Sequence, residues 1–204
     1  MTIVHFISHP EVVVDPLRPV PRWNLSDVGI AQMRAFAQSA SMRAISAVWA
    51  SSETKAIEGA GIIAAARGLP VRVHKGLDEN DRSATGFLPP HEFQIVADEF
   101  FARPHESVRG WERAIDAQRR VLAAFEQITA DTVEHSIAIV AHGGVGTLLY
   151  CHLAGVGISR AYDQPSQGHF WSCTLPSRAI LHAWNPEHAL GADLETLLKA
   201  ELRG

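Results

Sequence analysis

Apolar residues gather in five short runs, at 2–8 (TIVHFIS), 45–50 (ISAVWA), 71–74 (VRVH), 136–141 (SIAIVA) and 179–184 (AILHAW). The first, second and fourth hardly alternate with polar residues, as befits parallel strands covered on both faces. Between the runs, apolar positions recur at helical spacing. Ser26 reads as an N-cap for Val28, Ala31, Met33, Ala35 and Phe36, in a helix reaching about Ala40. A second helix, capped by Ser52 or Thr54, carries Ile57, Ala60, Ile63 and Ala64 to Gly68, with Pro70 as a stop. A longer pattern at 111–129 holds Ile115, Leu122 and Phe125, and another follows Gly143-Gly144 through Val145, Leu148, Leu149 and Leu153. A last helix is expected near 190–202.

Strands alternating with helices predict an α/β fold, a three-layer sandwich with a mostly parallel central sheet and helices on both faces. The least regular stretch, 75–110, contains Gly86, Pro89, Pro90 and Pro104. A structureless loop of that length is unusual, so one helix is expected at about His91–Phe101. An excursion of this kind, at about 80–111, often covers a binding site.

Composition narrows the class. The chain of 204 residues predicts one domain, 1–204, and 47% apolar with 20% charged residues is ordinary globular usage. Eighteen basic against 22 acidic residues leave a net charge of −4, with no basic stripe for a polyanion, so no nucleic-acid partner is expected. Two cysteines, Cys151 and Cys173, make no disulfide framework and read as small core residues of a reduced compartment. A basic leader and an apolar run of membrane length are both missing, which predicts a cytoplasmic protein without a membrane partner. A homodimer is left open.

In open α/β sheets, ligands bind beyond the carboxyl ends of the strands. Ser8-His9-Pro10 follows the first run, Ser51-Ser52-Glu53-Thr54-Lys55 the second, Leu77-Asp78-Glu79-Asn80-Asp81-Arg82 the third, and His142-Gly143-Gly144 the fourth. Two imidazoles, a lysine and an acidic cluster then share one rim. That set suits proton transfer at an anion. A neutral imidazole at a strand end can attack phosphorus. A second imidazole and a cation would stabilise the transferring oxygens, while a carboxylic acid protonates the leaving alkoxide and deprotonates water. Free N–H groups at the Gly143-Gly144 turn would cradle phosphate. The glycines fit neither a dinucleotide fingerprint nor a P-loop, and no close metal-ligand spacing occurs, so no metal or cofactor is expected.

These motifs, in this order, resemble those of the histidine phosphatase superfamily, the phosphoglycerate-mutase-like enzymes. That family opens with a strand and Arg-His-Gly, where this chain has Ser8-His9-Pro10. Leu25-Ser26-Asp27-Val28-Gly29-Ile30-Ala31-Gln32 fits its Leu-Ser/Thr-x-x-Gly-x-x-Gln helix start. Ser51-Ser52-Glu53-Thr54-Lys55-Ala56 is similar to Ser-Pro-Leu-x-Arg-Ala, and Leu77-Asp78-Glu79 to Leu-x-Glu. A hydrophobic strand running into His142-Gly143-Gly144 completes the set, over about residues 2–155.

The resemblance implies a phosphoglycerate-mutase-like sandwich and a metal-independent phosphomonoesterase acting on a small phosphorylated metabolite. It implies His9 as phosphoryl acceptor, His142 as a second phosphate contact, Lys55 as a phosphate cation beside the Gly143 cradle, and Glu79 as acid and base. Asp78 and Asp81 compete with Glu79 for that role, and Lys55 reads equally as a surface lysine of its helix. Ser8 stands where the family has an arginine, Pro10 has no N–H to offer, and Lys55 lacks the guanidinium fork. Arg22 is the first candidate for the missing cation and Arg82 the second. His169 is a further candidate from a later strand. A phosphomutase of the same fold, or a degenerate phospho-ligand or protein binder, is the alternative.

Overall fold

A computed structural model describes residues 2–130 and 136–186, so the expected helix at 190–202 lies outside the described residues. Six strands form one sheet: β1 (Thr2–Ser8), β2 (Ala47–Ala50), β3 (Val71–Val73), β4 (Ser136–Ala141), β5 (His169–Leu175) and β6 (Ile180–Pro186), in the order β3-β2-β4-β1-β5-β6. The β1–β4, β4–β2 and β2–β3 pairs are parallel, and only β5 runs against its neighbours. The mostly parallel sheet expected from the apolar runs is therefore present. β5 was not among those runs, although Phe170, Trp171, Cys173 and Leu175 carry strand-forming side chains.

Helices cover both faces, because each central strand sends alternate residues to opposite sides. Val4, Phe6, Ile137 and Ile139 pack with α3 (Pro90–Ala102), α4 (Ala114–Ala130) and α5 (Gly143–Leu153). Ile7, Val48, Ala138 and Val140 pack with α1 (Asp27–Ala37) and α2 (Thr54–Arg67). Phe6 stacks on Trp171 at 5.2 Å, both fully buried. Burying each such ring contributes about 2–3 kcal/mol.

Local signals hold with small shifts. Ser26 caps α1 by accepting from the Gly29 N–H at 3.0 Å. Neither Ser52 nor Thr54 caps α2: its N-cap is Glu53, and Ser52 donates to Asp78 instead. The expected start of α4 at Trp111 moves to Ala114, and Trp111 follows a 3₁₀ turn at Val108–Gly110. The excursion does hold a helix, α3.

Gly29 is fixed by the segment just after His9. The Ser26 N–H donates to Glu11 O at 3.0 Å, and a Cβ on Gly29 would lie 2.1 Å from that carbonyl oxygen. Gly29→Ala must push this backbone away, an overpacking cost of about 2–3 kcal/mol. A thermal melt is expected to move down by about 5–10 °C.

Candidate active site

The parallel register decides which residues meet. Ser8 pairs with Ala141, so His9 and His142 emerge side by side at the ends of β1 and β4. β1 and β2 each continue their ladder with β4 by one step, with His9 N–H donating to Ala141 O at 3.1 Å and Ser51 N–H to Val140 O at 3.0 Å. The two imidazoles stand edge to face, 5.3 Å between ring centres.

His9 Nδ1 lies 2.9 Å from Pro10 O, a carbonyl that can only accept. Nδ1 therefore carries the proton, and Nε2 keeps its lone pair. Burial, then the neighbouring His142 ring and the Lys55 charge, hold the His9 pKa well below the usual imidazole range, so the ring is neutral. His142 is fully buried and is likewise held well below that range, first by burial and then by Lys55. Its Nε2 meets Ser51 Oγ at 2.7 Å, while Nδ1 has no hydrogen-bond partner among the described residues. An orphaned buried ring nitrogen costs free energy unless a ligand satisfies it.

His9 lines a cavity of about 380 Å³ together with Lys55, Glu79, Asn80, Arg82 and Gly143. Asp78 instead accepts from Ser52, and Asp81 is exposed, which separates them from Glu79. The Glu79 carboxylate sits on the N-terminus of α5, accepting from Val145 N–H at 3.0 Å and Gly144 N–H at 3.2 Å. Those amides are thus not the free cradle expected at this turn. Desolvation pushes the Glu79 pKa up, opposed by Arg82 and assisted by Glu53. The glycines serve close approach: a Cβ on Gly144 would lie 2.7 Å from Glu79 Oε1, and one on Gly143 2.1 Å from Gln164 Nε2.

Lys55 points inward and is only 2% exposed, so it is not a surface lysine. Its Nζ pairs with the Glu53 carboxylate, 5% exposed, and donates to Val20 O at 3.1 Å. Removing either partner of such a pair costs about 3–5 kcal/mol, because the other charge is stranded. Glu53 Oε1 also accepts from Glu79 N–H at 3.0 Å and lies 3.5 Å from His142 Nε2.

Arg22 is exposed and lines a neighbouring cavity of about 900 Å³, not the one holding His9. Arg82 reaches both cavities, its guanidinium over the Phe93 and Trp111 rings at 5.0 and 5.6 Å. It forms no ion pair among the described residues. The ranking of the two arginines is thereby reversed. His169 is buried and its backbone holds Ser8 Oγ, but it does not line the cavity. Ser8 Oγ donates to Gln164 Oε1 at 2.5 Å.

A family model for the histidine phosphatase superfamily (branch 1) matches residues 19–173. The chain belongs to this superfamily. Among solved structures, the histidine phosphatase fold here is similar to Bacillus stearothermophilus YhfR, with 20% identity over 93% of this chain and 98% of that one, at a TM-score of 0.76. A mycobacterial glucosyl-3-phosphoglycerate phosphatase in complex with inorganic phosphate has 19% identity over 92% and 99%, TM-score 0.71. The alpha-ribazole phosphatase from Shigella flexneri has 19% identity over 94% and 99%, TM-score 0.73. At these identities the likeness is one of fold. No curated protein matches by sequence. The family match begins after His9, so the place of this histidine among the phosphatase motifs rests on the geometry above.

Three polar residues of this histidine phosphatase site escaped sequence reasoning: Glu53, Asn80 and Gln164. Glu53 had a signal, an acid standing at the leucine position of Ser-Pro-Leu-x-Arg-Ala. Gln164 had none, since it lies outside every motif.

Proposed function

We propose that the protein is a phosphomonoester hydrolase acting through a phosphohistidine at His9. One observation carries the reading: a neutral His9 with a free Nε2 shares a cavity with Glu79, whose carboxyl is biased toward its acid form. His9 Nε2 attacks phosphorus and forms an N–P bond as the P–O bond to the alcohol breaks. Glu79 gives its proton to the departing oxygen. It then takes a proton from water, whose oxygen attacks phosphorus and breaks the N–P bond. Phosphate leaves and His9 is neutral again. Lys55, Arg82 and the Asn80 amide stabilise the transferring oxygens, with no metal in any step, while His142, expected as a second phosphate contact, does not line the cavity and backs the His9 ring at 5.3 Å.

The segment 80–111 sets specificity. Asn80, Arg82, Phe87, Phe93 and Trp111 all line the cavity. A small phosphorylated metabolite fits its volume, and the free buried thiols of Cys151 and Cys173 fit a cytoplasmic setting.

Alkaline quench of turnover, followed by mass spectrometry, is expected to find phosphate on the His9 peptide. A second reading, a phospho-ligand binder without turnover, draws on the neutralisation of Lys55 by Glu53. Stable ligand binding with no label and no hydrolysis would establish that reading in place of the first.

A further inference from the structure

The cavity provides little unbalanced positive charge. Lys55 is matched by the buried Glu53 on its own segment, and Arg160 by Asp98 and Asp163. Arg82 alone among the charged lining residues lacks a carboxylate partner among those described. Glu79 adds a negative charge whenever it ionises. The neutral donor on the cavity wall is Asn80 Nδ2, buried without a hydrogen-bond partner among the described residues; His142 Nδ1, likewise unpartnered, lies behind the wall. One such donor and one net cation match a singly charged tetrahedral anion. A dianion would meet Glu79 in the cavity and the field of Glu53 behind its wall, with one charge uncompensated.

We propose that this site takes the phosphoryl group as a monoanion, retaining one proton, and that Glu53 is the specificity-determining residue that imposes this. The inference rests on the phosphatase reading and adds the charge state of its substrate. Glu53 acts from behind the cavity wall, facing Lys55 at the head of α2, His9 after β1, His142 at the head of α5, and Glu79 after β3. Arg82 and, from α4, Arg120 add their fields at His142 and Glu79. Where the family pattern has leucine, the carboxylate cancels the cation beside it. Replacing it with a neutral side chain frees the Lys55 charge for a second negative charge on the ligand.

The test is calorimetric titration of the full chain with inorganic phosphate and with sulfate across neutral pH, with His9 and His142 ring resonances followed by NMR. Sulfate has no proton to keep in this range, so the phosphate-to-sulfate affinity ratio cancels titrations of the protein. Above the second ionisation of phosphate this ratio is expected to fall about tenfold per pH unit, as the monoanion fraction does. In Glu53→Gln the ratio is expected to become flat and sulfate to bind about tenfold more tightly. A flat ratio in the native chain, with the ring resonances still moved by both anions, overturns the charge assignment and leaves the phosphatase reading standing. A folded Glu53→Gln variant with an unchanged ratio overturns the role of Glu53. If neither anion moves the ring resonances, both the inference and the phosphatase reading fall.

Discussion

His9→Ala is expected to lower kcat for phosphomonoester hydrolysis by about 10⁴-fold or more, the scale on which losing a covalent nucleophile acts. The expectation follows from the ring's surroundings. Pro10 O fixes the tautomer, and burial keeps the ring unprotonated, so the native nucleophile is ready without a preceding proton transfer. His142 cannot substitute, because it is fully buried with Nε2 engaged by Ser51. The variant should still fold, since the His9 contacts to Ala141 and Gly168 run through its backbone. Steady-state kinetics beside a thermal melt check this. A loss under tenfold in a folded variant would remove the phosphohistidine from the mechanism.

What the sequence made legible follows from what repeats along it. The unbroken apolar runs at β1, β2 and β4 announce strands covered twice, and Ser26 announces the start of α1. Strand ends then place His9, His142 and Glu79 on one rim without any knowledge of contacts. β5 was hidden because His169 to Leu175 mixes polar and aromatic residues, and it became a strand through pairing with β1 on one side and β6 on the other. The cation problem was illegible for a different reason. Whether a lysine counts as a charge depends on its partner, and Glu53 lies two residues away yet on the same inward side. Arg22 and Arg82 could be ranked only once the chain had folded around Phe93 and Trp111. Motif order gathers the candidate groups; charge balance is a property of packing.

Glu79→Gln is expected to separate the two halves of the reaction. The amide keeps the shape of the carboxyl but can neither give nor take the proton. Losing a positioned acid and base costs about 10²–10⁴-fold. For an alkyl phosphate the whole loss should fall on phosphohistidine formation, because the alkoxide leaves poorly without a proton. With p-nitrophenyl phosphate the leaving group needs little help, so the first step survives. The second step still lacks its base. The variant should therefore show a burst of nitrophenol followed by slow turnover, with phosphate held on His9. The pH profile gives an independent reading. Desolvation raises the native Glu79 pKa, so the acid form that the first step needs persists toward neutral pH and is lost as pH rises through that value. The alkaline fall in kcat for an alkyl phosphate should belong to Glu79 and vanish in Glu79→Gln, whereas kcat/KM keeps the fall that comes from the substrate's own ionisation. The amide also leaves one of the Gly144 and Val145 N–H groups without its acceptor, at a cost of about 1–3 kcal/mol in stability. A burst without that loss of alkyl phosphatase activity would mean another group protonates the leaving oxygen.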